Sequence, residues 1–129
     1  MAHRLLDTNI VSYIYKNHPF VSRYMPYLTG HTLHVSVMTV AELFEGAFRA
    51  GWAVRRFVRL QNLLGSYLHI SLDTALARRW GMVRAARRRQ PIGVADAWIA
   101  ATALEYGLDL VTHNPADFQG LTGLTVISA

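Results

Sequence analysis

Asp7, Glu42, Asp96 and Asp117 are four of only eight acidic residues in a chain of 129 that carries thirteen Lys and Arg. Each stands against apolar sequence. His3-Arg4-Leu5-Leu6 runs into Asp7, Glu42 sits in Ala-Glu-Leu, Asp96 in Ala-Asp-Ala-Trp-Ile, and Asp117 in Asn-Pro-Ala-Asp-Phe. Bringing ionised carboxylates within about 4 Å of each other costs roughly 4 kcal/mol per pair at an effective dielectric near 20. A cation would offset that cost. Carboxylates are hard oxygen ligands and the chain contains no Cys, so the expected occupant is Mg²⁺ or Mn²⁺ rather than structural zinc.

Taken singly, each acid has an architectural reading. Asp7 is a natural N-cap for a first helix, and Thr39-Val-Ala-Glu42 matches the capping-box pattern. Asp96 suits the positive end of a helix dipole, and Asp117 suits a turn after Asn114-Pro115. Four such coincidences at once are far rarer than one, which favours a shared site. Spacings of 35, 54 and 21 residues leave its assembly to the fold. Of the remaining acids, Glu45 is a reserve ligand three residues after Glu42, Asp73 is a helix cap, and Glu105 and Asp109 should face water around Gly107. The six His show no His-x-x-x-His pair. Without a Gly-x-Ser-x-Gly or phosphate-binding glycine loop, acyl transfer and nucleotide hydrolysis lack support.

The elements that must position these acids alternate between short apolar runs and helical patterns, the mark of an α/β sheet with crossover helices. Strands are expected at His3 to Leu6, Leu33 to Val35, Leu68 to Ser71, Leu108 to Thr112 and Thr125 to Ile127. Helices are expected from Thr8 to Tyr15, Phe20 to Leu28, Ser36 or Thr39 to about Gly51, and Ala53 to Leu64. A long fifth helix starts after Asp73 and stops at Pro91 and Gly93, and a sixth runs from Val94 to Glu105 with Gly107 as its cap. In an open parallel sheet the working crevice lies beyond the carboxyl ends of the strands. Acids that follow strands, together with Asp96 in the first turn of its helix, can converge on that rim.

The length fits one domain spanning residues 1–129. Hydrophobic residues make up 52%, yet no apolar stretch reaches the eighteen or more residues of a membrane span. No charged leader with an apolar core precedes the first strand, so a cytoplasmic location is expected. Net charge is +5 and twelve of the thirteen basic residues are Arg, which suits phosphate recognition and a polyanionic partner. Arg55, Arg56, Arg59, Arg78, Arg79, Arg84, Arg87, Arg88 and Arg89 fall on two helices taken as adjacent. Single arginines often do no more than keep a surface solvated, but nine favour contact with nucleic acid.

In order, Leu5-Leu6-Asp7-Thr8-Asn9, Val40-Ala41-Glu42-Leu43 with Gly46, Pro91-Ile92-Gly93 leading to Asp96 and Ile99-Ala100-Ala101, and Thr112-His113-Asn114 with Asp117-Phe118 resemble the PIN-domain family. Within it the chain is similar to VapC-type toxins. The resemblance spans nearly the whole chain and implies an α/β/α sandwich around a mainly parallel sheet of about five short strands. It implies a Mg²⁺- or Mn²⁺-dependent ribonuclease whose catalytic and metal quartet is Asp7, Glu42, Asp96 and Asp117. Thr8, Asn9, Thr112 and Asn114 would orient these ligands or water. RNA would meet Arg78, Arg79, Arg84 and Arg87 to Arg89. The implied partners are an RNA substrate, a VapB-type antitoxin and a second copy of the chain, with DNA contacted only through the antitoxin. The rival reading is a PIN-like module that binds RNA or assembles without cutting. A third makes the chain a structural subunit whose first two helices serve assembly through Ile10, Ile14, Tyr15, Phe20, Tyr24 and Tyr27, although such residues more often belong to the core. The same surface could instead seat an antitoxin segment, with Tyr24 and Tyr27 as anchors.

Overall fold

A computed structural model describes all 129 residues. Its elements are β1 (His3–Leu6), α1 (Thr8–Lys16), α2 (Val21–Leu28), β2 (Thr32–Ser36), α3 (Val37–Arg49) and α4 (Val54–Leu64). There follow β3 (Leu68–Ile70), α5 (Thr74–Ala86), α6 (Val94–Tyr106), β4 (Asp109–Val111), a 3-10 turn (Pro115–Phe118) and β5 (Val126–Ile127). The five strands form one sheet in the order β3-β2-β1-β4-β5, and every pairing is parallel. The chain builds outward from β1 to β2 and β3, then crosses back to place β4 on the other side of β1. The order therefore reverses between β1 and β4, the position at which open α/β sheets leave a crevice for ligands.

Side-chain alternation along the strands divides the core into two layers. Leu5 and Leu110 face α5 and α6, where Leu76, Val83, Ile99 and Ala103 are buried. Leu6, Val35 and Val111 face α1 to α4, where Ile10, Val11, Tyr24, Ala47, Leu60 and Leu64 are buried. Local signals set most helix ends. Asp73 accepts from Leu76 N–H at 2.8 Å, and Gly107 closes α6 with φ +65°, a left-handed conformation that glycine adopts without strain.

Several expectations are corrected. The α5 helix ends at Ala86, well before Pro91, where Arg87 leaves the helical conformation, and the segment that follows returns to let Arg84 donate to the carbonyl of Ile92. Thr39 does not cap α3. Ser36 does, its hydroxyl accepting from Thr39 N–H at 3.1 Å, which leaves Glu42 a full turn inside the helix. Glu105 and Asp109 are paired rather than solvated, with Arg79 at 2.9 Å and Arg4 at 3.7 Å. The helices carrying the arginines are not neighbours: α4 packs on one face of the sheet and α5 on the other.

Helix α2 turns Tyr24 and Leu28 into the core and leaves Met25 and Tyr27 at the surface. Tyr24 is 1% exposed, and its hydroxyl meets the His113 ring and donates to the Ala129 carbonyl at 3.1 Å. Ile10 and Tyr15 are likewise buried, whereas Tyr27 lies at the surface under Arg4. Truncating a buried aromatic leaves a cavity that neighbours refill only partly. Tyr24→Ala should lower unfolding free energy by about 3–5 kcal/mol in urea titrations, whereas a docking residue would change stability by less than about 0.5 kcal/mol.

Candidate active site

Beyond the carboxyl ends of β1 and β4 lies a cavity of about 580 Å³ whose lining includes Asp7, Glu42, Asp96 and Asp117. Each acid arrives by a different route. Asp7 follows β1 and caps α1, Glu42 lies one turn into α3, Asp96 is in the first turn of α6, and Asp117 is in the 3-10 turn after β4. Glu45 is not with them. It points to solvent and pairs with Arg49 at 3.4 Å.

Asp7 is the most buried of the four, at 5% exposure. One carboxylate oxygen accepts from Thr8 N–H at 2.8 Å and the other from the Thr112 hydroxyl at 2.7 Å. Burial raises its pKa, those two hydrogen bonds oppose the rise, and the charges of Glu42 and Asp117 add to it. The Thr8 hydroxyl is placed to donate to Glu42 at 2.7 Å. Asn9 accepts from His113 N–H at 3.3 Å, and Asn114 N–H donates to the Thr112 hydroxyl at 3.0 Å. Thr8, Asn9, Thr112 and Asn114 thus link the α1 start to the segment after β4.

Asp96 titrates at about 6, raised first by burial and then by the charges of Asp7, Asp117 and Glu42, while Arg87 pulls the other way. The four carboxylates therefore feel one another across the cavity. No three acidic or His side chains close into a cage for an ion.

The cavity also has a cationic, aromatic end that the sequence reading did not assign to the site. Ser12, Tyr15, Lys16, Trp52 and Arg56 line it together with Leu43, Gly46, Ala47, Ala50 and Leu60. Arg56 lies over the Trp52 ring at 4.1 Å. Helical spacing carried part of this signal: Thr8, Ser12 and Lys16 recur every four residues, as do Glu42, Gly46 and Ala50. Of the arginines expected to meet RNA, Arg78, Arg88 and Arg89 are exposed, Arg79 is held by Glu105, and Arg84 and Arg87 are tied to backbone carbonyls. Arg84, Arg87 and Arg88 border a second, open depression beside Trp80 and Pro91.

A parallel sheet with four carboxylates at its switch point, set in a cavity that turns basic at its far end, defines a class of protein suited to acting on phosphate-bearing ligands. Comparison with known proteins narrows that class. The PIN domain family pattern matches residues 4–123, and the chain belongs to the PIN-domain family. It is 32% identical over 126 residues to the tRNA(fMet)-specific endonuclease VapC of Shigella flexneri, covering 96% of each chain. It is 34% identical over 125 residues to ribonuclease VapC1 of Haemophilus influenzae strain R2866, covering 93% of this chain and 92% of that one. Among solved structures, VapBC-1 from nontypeable H. influenzae superposes with a TM-score of 0.81 at 30% identity, covering 99% of this chain and 98% of that one. DNA-bound VapBC from Salmonella typhimurium gives 0.82 at 28% identity with the same coverage.

The crowding of charge has a measurable consequence. A raised folded-state pKa means that ionised Asp96 opposes folding, by nothing below its ordinary pKa of 3.8 and by the full amount above about 6. Asp96→Asn should therefore raise the thermal midpoint of metal-free protein at pH 7.5 by a few degrees, at roughly 2–8 °C per kcal/mol. That gain should fade below about pH 4. An equal gain at both pH values would show that charge is not its source.

Proposed function

We propose that this chain is a metal-dependent endoribonuclease, the toxin of a VapBC-type pair, which hydrolyses RNA phosphodiester bonds in the cytoplasm and is inhibited by a VapB-type antitoxin. The observation that carries this reading is the convergence of four carboxylates on one cavity in a chain whose relatives are named ribonucleases. A non-catalytic binding module would gain nothing from mutually repelling acids around its cavity.

The donor set fits Mg²⁺ or Mn²⁺. It is made of hard oxygens, and Mg²⁺ commonly keeps several waters while taking one or two carboxylates and substrate phosphates, so a closed protein cage is not required. When bound, the ion supplies Lewis acidity and a water of lowered pKa. The chain's own residues do the placing. Asp7 is immobilised by Thr8 and Thr112, and Glu42 is held by Thr8, so two of the carboxylates present fixed oxygens to the cavity. At the other end, Lys16 and Arg56 offer charge to a neighbouring phosphate, with Arg56 lying over the Trp52 ring, which also stacks on Tyr15. Attack by water in line with this family's chemistry leaves 5′-phosphate and 3′-hydroxyl ends.

The same cavity supports a reading of where the antitoxin sits. Helices α1, α3 and α4 frame it, with Leu43, Ala47, Ala50 and Leu60 among the apolar lining and the carboxylates at one end. An amphipathic antitoxin segment would lie along this groove and send a basic side chain to the acids. Of the two anchors expected on α2, Tyr24 is taken up by the protein's own core, whereas Tyr27 stays at the surface. The free toxin is proposed to be a homodimer, and DNA is reached only through the antitoxin.

EDTA should silence RNA cleavage, and Mg²⁺ or Mn²⁺ should restore it. Asp96→Asn should abolish cleavage while leaving circular dichroism unchanged, because it removes a charged ligand at nearly constant volume. Activity surviving chelation, or undiminished in a folded Asp96→Asn protein, would overturn the proposal. The partner reading has its own test in Gly46, which lies inside α3 with no atom within 4 Å of an added Cβ. Gly46→Leu should keep or raise stability by up to about 1 kcal/mol through helix propensity while weakening antitoxin binding at least tenfold. Unchanged antitoxin affinity would place the partner elsewhere.

A further inference from the structure

The run Arg87-Arg88-Arg89 reads in sequence as one basic patch, but the fold divides it. Arg88 and Arg89 are exposed, whereas Arg87 is half-buried. As the C-cap of α5, it uses two faces of its guanidinium. Nε donates to the Gln90 carbonyl at 3.0 Å, and Nη1 donates to the Asp117 carbonyl at 2.7 Å, thirty residues away.

The second bond reaches the turn carrying Asp117, which like Asp96 has a carboxylate that no hydrogen-bond donor holds. Asp7 and Glu42 are each held by hydroxyl or main-chain donors. The Asp117 side chain lies exposed on a short 3-10 turn. That turn is secured from within by Asp117 N–H to the Asn114 carbonyl at 3.2 Å and from below by buried Phe118. Arg87 supplies the hydrogen bond that ties the turn to the α5–α6 side of the cavity. A planar guanidinium can satisfy two carbonyls set at an angle, which a lysine ammonium on a flexible stem does not do in the same fixed geometry.

We propose that Arg87 is a positioning residue of the acidic site, bracing the turn that carries Asp117, and not a phosphate-binding arginine like its exposed neighbours. The inference rests on the metal-dependent reading for what Asp117 does. It predicts that Arg87 and Asp117 act as one unit. Groups that orient metal ligands typically affect metal affinity or activity by 10–100-fold when removed.

The test is a double-variant cycle read by Mn²⁺ titration of the RNA-free protein, using calorimetry or the electron paramagnetic resonance of free Mn²⁺. Arg87→Gln should weaken Mn²⁺ binding on the order of tenfold. The same change made in an Asp117→Asn background should have almost no further effect. The salt dependence of RNA binding, measured in EDTA, should be unchanged by Arg87→Gln. It should flatten for Arg88→Gln, by up to about 0.7–0.9 in log-log slope for a lost phosphate contact. If Arg87→Gln fails to fold, Arg87→Lys keeps the charge, removes the fork and enters the same cycle.

Unchanged Mn²⁺ affinity, additive losses with Asp117→Asn, or a flattened salt slope for Arg87→Gln would each overturn the proposal. Full Mn²⁺ affinity in Arg87→Lys would also overturn it, since charge alone would then suffice. A wild-type chain that neither binds Mn²⁺ nor cuts RNA would remove the metal-dependent reading as well, and that result appears before any variant is made.

Discussion

Asp7 is buried at the boundary between β1 and β4 beside the charges of Glu42 and Asp117, and the rest of the cavity is arranged around the cost of keeping it there. Desolvation raises its pKa, and two charge-assisted hydrogen bonds of 2.7–2.8 Å partly offset the penalty. One donor comes from the start of α1 and the other from the residue after β4. The clamp is therefore available only when the two strands lie side by side, as they do with Leu6 opposite Val111 and Asp7 N–H bonded to the Val111 carbonyl at 2.9 Å. The sheet's reversal of order and the placement of its most buried charge are one constraint seen at two scales.

Space and charge around that clamp are graded. On α3, Glu42, Gly46 and Ala50 follow one another at four-residue intervals, and the small side chains after Glu42 leave the groove open between α1 and α4. Acids occupy one end and Lys16, Trp52 and Arg56 the other. An extended anionic chain laid along this groove would meet attraction at Lys16 and Arg56 and repulsion at the carboxylates unless a cation intervened. The same gradient suits a partner segment that is apolar along its length and basic at its tip. Folding stability and site chemistry pull apart here, since the burial and mutual repulsion that raise the Asp96 pKa also disfavour the folded state at neutral pH.

Where sequence reading misplaced a residue, long-range packing was the cause. Phe20, Tyr24 and Tyr27 have the spacing of a contact face, yet Tyr24 is drawn inward because His113 and the Ala129 carbonyl, far away in the chain, offer its hydroxyl partners in the core. Glu42 fits a capping box with Thr39, but Ser36 reaches the α3 start first and Thr8 takes the carboxylate. The arginines of α4 and α5 look continuous along the sequence and end on opposite faces, because the strand between those helices carries the chain across the sheet. Ser12 and Lys16 share a helical stripe with Thr8, a pattern visible in the sequence, whereas nothing local marks Arg56 or Trp52 as neighbours of the acids.

Local chemistry was enough to place β1 at His3–Leu6, to end α6 at Gly107, to make Asp73 a cap and to single out four acids set against apolar runs. Those features depend on side-chain periodicity, backbone conformation and capping, all short-range properties that a linear chain displays directly. The ordered motifs likewise carried the family. Tertiary structure alone decided which hydroxyl holds which carboxylate, that the cavity has a cationic end, and that Arg87 belongs with Asp117 while Arg88 and Arg89 face solvent. Each of these joins residues thirty or more positions apart or separates immediate neighbours. Such contacts are set by strand order and by which face of the sheet a helix covers, and neither is encoded at the sites where the contacts are made.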